Sequence, residues 1–253
     1  PYELDIYNIP KRIDELCVDI PRVSCFTEEF KYPVIFPKSI NSTWMSVSPN
    51  EVFTMEKPIK NAKGKVLTLG CGMGYFAYMA SIKEDVESIT IIELEQSVID
   101  LFEKCILPQF ENKDKITIVK ADAVEYLRNI EDGVYDYCFA DIWIGIEDIA
   151  PYFAVKEIGR NLRKTKIEYW IEDSFAILLS SSVWIEIMKT FSEANKMEIP
   201  PLDESKLTSS DKRKENYIHR LLSDVEISKP EHIDYYMKPQ NIISLIDRTD
   251  IIF

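Results

Sequence analysis

The sequence lacks the features of membrane and secreted proteins. No apolar run approaches the roughly 20 residues that a membrane-spanning helix needs, and the longest, residues 175–184, contains three serines. The start, Pro1–Asp5, has neither the basic region nor the apolar stretch of a signal peptide. We therefore expect no membrane partner.

Cysteine and histidine are also scarce. The five cysteines, an odd number, form no C-x-x-C pair, which argues against a disulfide scaffold or a zinc site and favours a reducing, cytoplasmic location. Cys105 and Cys138 lie in apolar runs and are predicted to be buried. Two histidines, His219 and His232, leave almost no material for a histidine metal site or catalytic triad.

Positive charge is in deficit. The 253 residues carry 30 basic and 43 acidic side chains, for a net charge of −13. Because a nucleic-acid partner needs a basic face to replace condensed counterions, this balance argues against one. With 46% hydrophobic and 29% charged residues, the composition is that of a globular chain.

Between residues 61 and 197, short apolar runs alternate with helical patterns. This alternation predicts βαβ units, and hence a doubly wound, mostly parallel α/β sheet with helices on both faces. We predict a Rossmann-like domain here, an N-terminal extension over 1–60 and a helical C-terminal extension over 198–253. The predicted strands are 65–69, 88–93, 115–119, 134–140 and 167–171, and the predicted helices are 75–82, 96–107, 123–130, 149–162 and 174–195.

The extensions carry fewer signals. Ser48-Pro49-Asn50-Glu51 has the pattern of a capping box, which predicts a helix that runs to about Lys57 and ends at Pro58. Residues 203–216 are almost wholly polar, so they are predicted to form an exposed loop, followed by two or three short helices.

A glycine-rich loop, Gly70-Cys71-Gly72-Met73-Gly74, lies between a predicted strand and a predicted helix. Such a loop lets a ligand approach the backbone closely, although a tight turn without a ligand is the alternative. The spacing departs from the dinucleotide pattern, because Tyr75 stands where G-x-G-x-x-G requires a small residue. Over residues 60–175, this loop and its context resemble the class I S-adenosylmethionine (AdoMet)-dependent methyltransferases.

The resemblance implies the strand order 3-2-1-4-5, AdoMet as cofactor and a set of site residues. The glycine loop, with Cys71, would hold the methionine end. Glu93, beside Leu94, would accept hydrogen bonds from the ribose hydroxyls. Asp122 and Ala123 would contact the adenine, although Asp122 also suits a helix N-cap with Glu125 three residues on.

Asp141 follows the fourth predicted strand, where ligands of open α/β sheets gather. We predict that it faces the sulfonium of bound AdoMet or the methyl acceptor, which it would position or deprotonate; a metal ligand, an N-cap or a salt-bridged carboxylate is the alternative. Glu172 and Asp173 after the fifth strand offer further carboxylates, but common loop carboxylates do not predict a metal site. Aromatic residues that are candidates for an acceptor wall, or for the core, are Trp44, Tyr75, Phe76 and Trp143.

The aminopropyltransferase (spermidine synthase) family is a second resemblance, carried by residues 92–99, Leu107-Pro108 and Tyr135-Asp136. That family has an Asp where this chain has Met73, and it has Asp-x-x-Asp-Pro where Asp141 is followed by Ile-Trp-Ile-Gly.

The methyltransferases usually have an acidic residue at the position of Thr68.

Three functions follow as hypotheses. The first is methyl transfer from AdoMet to an N, O or S atom of a small-molecule acceptor. The second is aminopropyl transfer from decarboxylated AdoMet. The third is non-catalytic binding of AdoMet or of a partner.

Overall fold

The computed structural model describes residues 4–6, 23–26, 34–35, 45–145, 148–198 and 208–248. From residue 19 onward, the described residues up to Trp170 belong to one compact unit, and those from Ile171 belong to a second. The domain limits predicted from the sequence remain predictions.

A five-stranded parallel sheet forms the centre of the first unit. Its order is β7-β6-β5-β8-β9. When the five strands of this sheet are numbered from 1 to 5 along the chain, so that β5 is strand 1, this is the predicted order 3-2-1-4-5. Four consecutive residues of β5, Val66–Leu69, and all of β8 are buried, because helices cover both faces of such a sheet. The strands are β5 Gly64–Leu69, β6 Val86–Glu93, β7 Ile116–Lys120, β8 Tyr137–Ala140 and β9 Lys166–Tyr169.

The helices that follow the strands of the sheet keep the predicted alternation, and the other elements of this unit precede the sheet. Two short antiparallel pairs precede the sheet: β1 Leu4–Ile6 with β2 Val23–Phe26, and β3 Val34–Ile35 with β4 Met45–Ser46. The helices are α1 Pro49–Asn61, α2 Tyr75–Ser81, α3 Gln96–Leu101, α4 Ala123–Asn129 and α5 Ile149–Gly159.

A π-helical turn, Phe102–Ile106, continues α3 and corrects one prediction. Phe102 is buried, but Cys105 is exposed. The wider turn changes which side chains face the core, so the 3.6-residue period used to place Cys105 inside does not apply here. Cys138, in β8, is buried as predicted.

Helix α1 confirms its predicted start and corrects its predicted end. Ser48 and Glu51 form the capping box, but the helix passes through Pro58 and ends at Asn61. Its last carbonyl groups have a partner from elsewhere in the chain: Lys83 Nζ donates to the carbonyl oxygens of Ile59 and Lys60, at 3.0 and 2.9 Å, and to that of Ala62. This tertiary cap stabilises the end of the helix where the local sequence predicts a stop.

We expect Lys83→Met to lower the free energy of unfolding by about 1–3 kcal/mol, because the carbonyl groups lose a charged donor. Urea unfolding followed by circular dichroism measures this. The matched control is Lys63→Met, since Lys63 is exposed beside the same helix end and should change stability by less than about 0.5 kcal/mol. An equal change in the free energy of unfolding for the two substitutions would show that the hydrogen bonds of Lys83 do not stabilise the helix end.

The second unit contains four helices among its described residues: α6 Glu172–Ala194, α7 Ser209–Leu222, α8 Pro230–Tyr236 and α9 Pro239–Ile246. The predicted loop over 203–216 is wrong from residue 209 onward. Thr208 and Asp211 form a capping box that starts α7. Among the described side chains of this helix, the buried ones lie in its C-terminal half: Tyr217, Ile218, Leu221 and Leu222. Residues 199–207 lie outside the described residues.

Helix α6 is long and apolar enough to cross a membrane by length and composition alone. Its buried apolar side chains lie four residues apart, at Phe175, Leu179, Val183 and Ile187. Within the unit, α6 contacts α7 and α9. This single stripe is the pattern of a helix packed in a globular core.

Candidate functional site

A cavity of about 700 Å³ opens at the carboxyl ends of β5, β6, β7 and β8. All the predicted cofactor-binding and catalytic residues line it, so the structure brings together side chains from four separate loops. They are Gly70, Cys71, Gly72, Gly74, Glu93, Leu94, Asp122, Ala123 and Asp141. Their individual roles remain predictions.

Glu93 joins the loops that follow β5 and β6. Its carboxylate, 7% exposed, accepts from the backbone N–H of Cys71 at 3.0 Å through Oε2 and from that of Glu95 at 2.8 Å through Oε1. Each carboxylate oxygen can accept a further hydrogen bond, so these contacts leave acceptor capacity for ribose hydroxyls.

The Cys71 thiol lies in the same loop. Burial, and then the charge of Glu93, raise its pKa to about 12. The thiol is therefore neutral at physiological pH, and the neutral thiol is not the nucleophilic form.

We expect Glu93→Ala to weaken AdoMet binding at least tenfold, about 1.4 kcal/mol, because a charge-assisted hydrogen bond to the ribose is lost. The substitution also removes the partner of the Cys71 N–H. Titration calorimetry with AdoMet checks this, with Glu87→Ala as control, since Glu87 is exposed on the same strand. An unchanged dissociation constant for Glu93→Ala would refute the ribose assignment.

Asp122 caps helix α4. Its side chain accepts from the backbone N–H of Glu125, at 2.9 Å from Oδ1, so the structural alternative considered for this residue is confirmed. The other oxygen, Oδ2, accepts no hydrogen bond from the part of the chain that the structure describes. That oxygen is the one that remains for the predicted adenine contact.

Asp141 follows β8, and its backbone N–H donates to the carbonyl oxygen of Leu69 at 3.0 Å. No described group donates a hydrogen bond to its carboxyl oxygens. Burial, and then the negative charge of Glu51, raise the pKa of Asp141 to about 7. A carboxyl group with a pKa near neutrality suits proton transfer at physiological pH.

Glu51 and Trp170 are among the cavity-lining residues that the sequence interpretation missed. Glu51 Oε2 accepts from Ser46 Oγ at 2.5 Å and from the backbone N–H of Ser48 at 2.8 Å. Trp170 follows β9, and its indole N–H donates to Thr54 Oγ1 at 2.8 Å. The local sequence of Glu51 indicates only its capping-box role, and its place at the cavity wall depends on the packing of distant segments.

Three of the predicted aromatic residues, Tyr75, Phe76 and Trp143, line the cavity. Trp143 is buried and packs edge-on against Tyr152, with ring centroids 5.7 Å apart, so the core alternative also holds for it. Trp44 lies outside the described residues.

The charge of the cavity wall has one sign. Its described residues include no Lys, Arg or His, and they include five carboxylates: Glu51, Glu93, Glu95, Asp122 and Asp141. Such a wall favours a ligand that carries positive charge.

Metal-binding geometry is a separate question. Among residues 45–145, 148–198 and 208–248, no three His, Cys, Asp or Glu side chains are placed to hold a metal ion. Glu172 and Asp173 do not end the fifth strand as predicted. They begin α6, in the second unit, because β9 ends at Tyr169.

Comparisons with known proteins give one family match. Residues 52–195 match the model of the spermine/spermidine synthase domain, and no curated protein matches the sequence. The spermidine synthase from Thermotoga maritima is 18% identical, with a TM-score of 0.39, over 50% of this chain and 45% of that one. A dimethyladenosine transferase from Plasmodium falciparum is 17% identical, with a TM-score of 0.35, over 52% and 45%. The chain thus spans less than half the length of each.

Proposed function

The chain belongs to the spermine/spermidine synthase domain family, and on this premise we propose that it transfers the methyl group of AdoMet to the nitrogen of a small-molecule amine. The observation that carries the proposal is the wall of the cavity. It combines Asp141, whose pKa is raised to about 7, with four other carboxylates and no described cationic side chain.

The size of the cavity, about 700 Å³, and the open space at its glycine loop support the binding of an amino-acid-bearing nucleoside. At Gly72, an added Cβ would meet no atom within 4 Å, so the loop leaves open space for a ligand. The loop would hold the methionine end, Glu93 the ribose, and Asp122 with Ala123 the adenine. When bound, AdoMet supplies a methyl group whose bond to sulfur breaks with its electron pair left on sulfur, while the lone pair of the acceptor nitrogen forms the new bond to carbon.

The protein must deliver the amine without its extra proton, because a protonated amine has no lone pair. We assign that proton to Asp141, and the assignment is supported by its carboxyl oxygens, to which no described group donates a hydrogen bond. The negative wall attracts the cationic amine, and the fixed loops align it. Such alignment supplies about 7–11 kcal/mol in favourable cases, without covalent help from the protein.

Aminopropyl transfer is the second candidate. Decarboxylated AdoMet carries two positive charges and no carboxylate, which suits the wholly acidic wall. Two residues argue against aminopropyl transfer. Met73 and Ile144 occupy positions where the aminopropyltransferases are expected to carry Asp. We therefore place methyl transfer first.

Titration calorimetry with AdoMet, decarboxylated AdoMet and S-adenosylhomocysteine tests the proposal. We expect AdoMet and S-adenosylhomocysteine to bind, and decarboxylated AdoMet to bind at least tenfold more weakly than AdoMet. Tighter binding of decarboxylated AdoMet would favour aminopropyl transfer. Binding of none of the three would favour a non-catalytic protein and overturn the proposal.

A further inference from the structure

One face of helix α1 contributes to the cavity. Glu51, Thr54 and Met55 are spaced i, i+3 and i+4, so they lie on the same side of the helix. Glu51 and Met55 line the cavity directly. Thr54 does not line the cavity itself, but its Oγ1 accepts the indole N–H of Trp170, which does.

The Glu51 carboxylate is held in place by hydrogen bonds from the protein itself. Both of its described hydrogen bonds reach Oε2, from Ser46 Oγ and from the Ser48 N–H. Oε1 accepts none from the described residues. A fixed carboxylate with one oxygen unused loses little side-chain entropy when it binds a cation.

Three large apolar side chains line the cavity together with Glu51. Met45, Met55 and Trp170 are partly buried and pack against the same hydrophobic cluster. The position three residues after Asp141, where the aminopropyltransferases are expected to carry a second Asp, is Ile144, which is 73% exposed. The wall near α1 therefore offers one fixed carboxylate beside Asp141, and apolar surface around it.

From this juxtaposition we propose that Glu51 selects the acceptor, an amine with a single nitrogen and an apolar body. The nitrogen binds between Glu51 and Asp141, and the body lies against Met45, Met55 and Trp170. This inference rests on the proposed function, and it narrows the class of acceptor from amines in general to apolar monoamines.

Charge and burial favour the binding of apolar monoamines over that of diamines. A primary ammonium group gains from a carboxylate and from the face of an indole ring. An aryl or alkyl body gains roughly 25 cal/mol for each Å² removed from water. A second ammonium group at the far end of a diamine would lose its hydration against these methionine and tryptophan side chains, which offer it no carboxylate in return.

The test uses the full chain saturated with S-adenosylhomocysteine, titrated with 2-phenylethylamine, 1,4-diaminobutane and 2-phenylethanol. We expect 2-phenylethylamine to bind at least tenfold more tightly than either of the others. Glu51→Gln should weaken its binding at least tenfold and leave the S-adenosylhomocysteine dissociation constant unchanged. Glutamine can still complete the capping box, so the midpoint of thermal unfolding should stay within about 2 °C.

The matched control is Glu56→Gln, because Glu56 is exposed on the same helix and does not line the cavity. It should leave amine binding unchanged. Tighter binding of the diamine, equal binding of the alcohol, or no effect of Glu51→Gln would overturn this inference alone. Failure of S-adenosylhomocysteine to bind would overturn the proposed function, and this inference with it.

Discussion

Replacement of Asp141 with Asn is expected to lower kcat for methyl transfer by about 10²–10⁴-fold, the usual contribution of a positioned general base. Asparagine keeps the shape of the side chain but cannot accept the proton that the amine must lose. The measurement is release of S-adenosylhomocysteine with the best acceptor from a panel of amines. AdoMet binding should persist, since the residues predicted to hold the nucleoside are intact.

The pH dependence of the wild-type rate should follow the same carboxyl group. Asp141 acts as a base only when ionised, so kcat should rise as pH increases through about 7 and should then level off. The Asp141→Asn variant should lack this step. An Asn variant with wild-type kcat, or a wild-type profile that is flat between pH 5 and 8, would assign proton transfer to another group.

Stability provides a readout that is independent of activity. The pKa of Asp141 is raised from 3.8 to about 7 in the folded state. Below about pH 4 the carboxyl is neutral in both states, and its contribution to stability is fully present. That contribution is lost as pH rises through 7, at a cost on the order of 4 kcal/mol. The gain in free energy of unfolding on Asp141→Asn should therefore be near zero at pH 4 and greatest above pH 7.

Replacement of Gly70 with Ala is expected to destabilise the protein by about 2–6 kcal/mol, the sum of backbone strain and overpacking, and to abolish AdoMet binding. The φ angle of Gly70 is +92°, and an added Cβ would lie 2.2 Å from the carbonyl oxygen of Asp141. Because that atom belongs to the backbone, relief of the clash must move the loop that carries Asp141. Urea unfolding and calorimetry with AdoMet measure the two effects.

The matched control for this substitution is Gly72→Ala. Gly72 also has a positive φ angle, +52°, but an added Cβ would meet no atom within 4 Å. It should cost about 1 kcal/mol, the ordinary penalty of an L-residue in this region. Equal stability of the two variants would show that close packing between the loops after β5 and β8 does not hold the site together.

Much of the central fold was predictable from local sequence. The apolar runs of β5 to β9 and the helices between them follow from the periodicity of side chains within a few turns of chain. The glycine loop, Glu93 and Asp141 were found because each lies at the carboxyl end of a strand, and the carboxyl ends of parallel strands meet at one edge. No long-range contact is needed for that inference, although the order of the strands came from the family resemblance.

The remaining features depend on residues far apart in sequence. Helix α1 continues past Pro58 to an end at which Lys83 donates to the last carbonyl groups. The indole N–H of Trp170, a cavity-lining residue, donates to Thr54, 116 residues away. The raised pKa of Asp141 comes from burial and from Glu51, ninety residues before it. Hydrophobic periodicity is a local property of the sequence, and it determines strands and helices. The burial of a side chain and the charge around it depend on how distant segments pack together. The sequence by itself therefore determined the strands, the helices between them and the loops that carry the predicted site residues, and the tertiary structure decided how the wall of the cavity is charged and which side chains complete it.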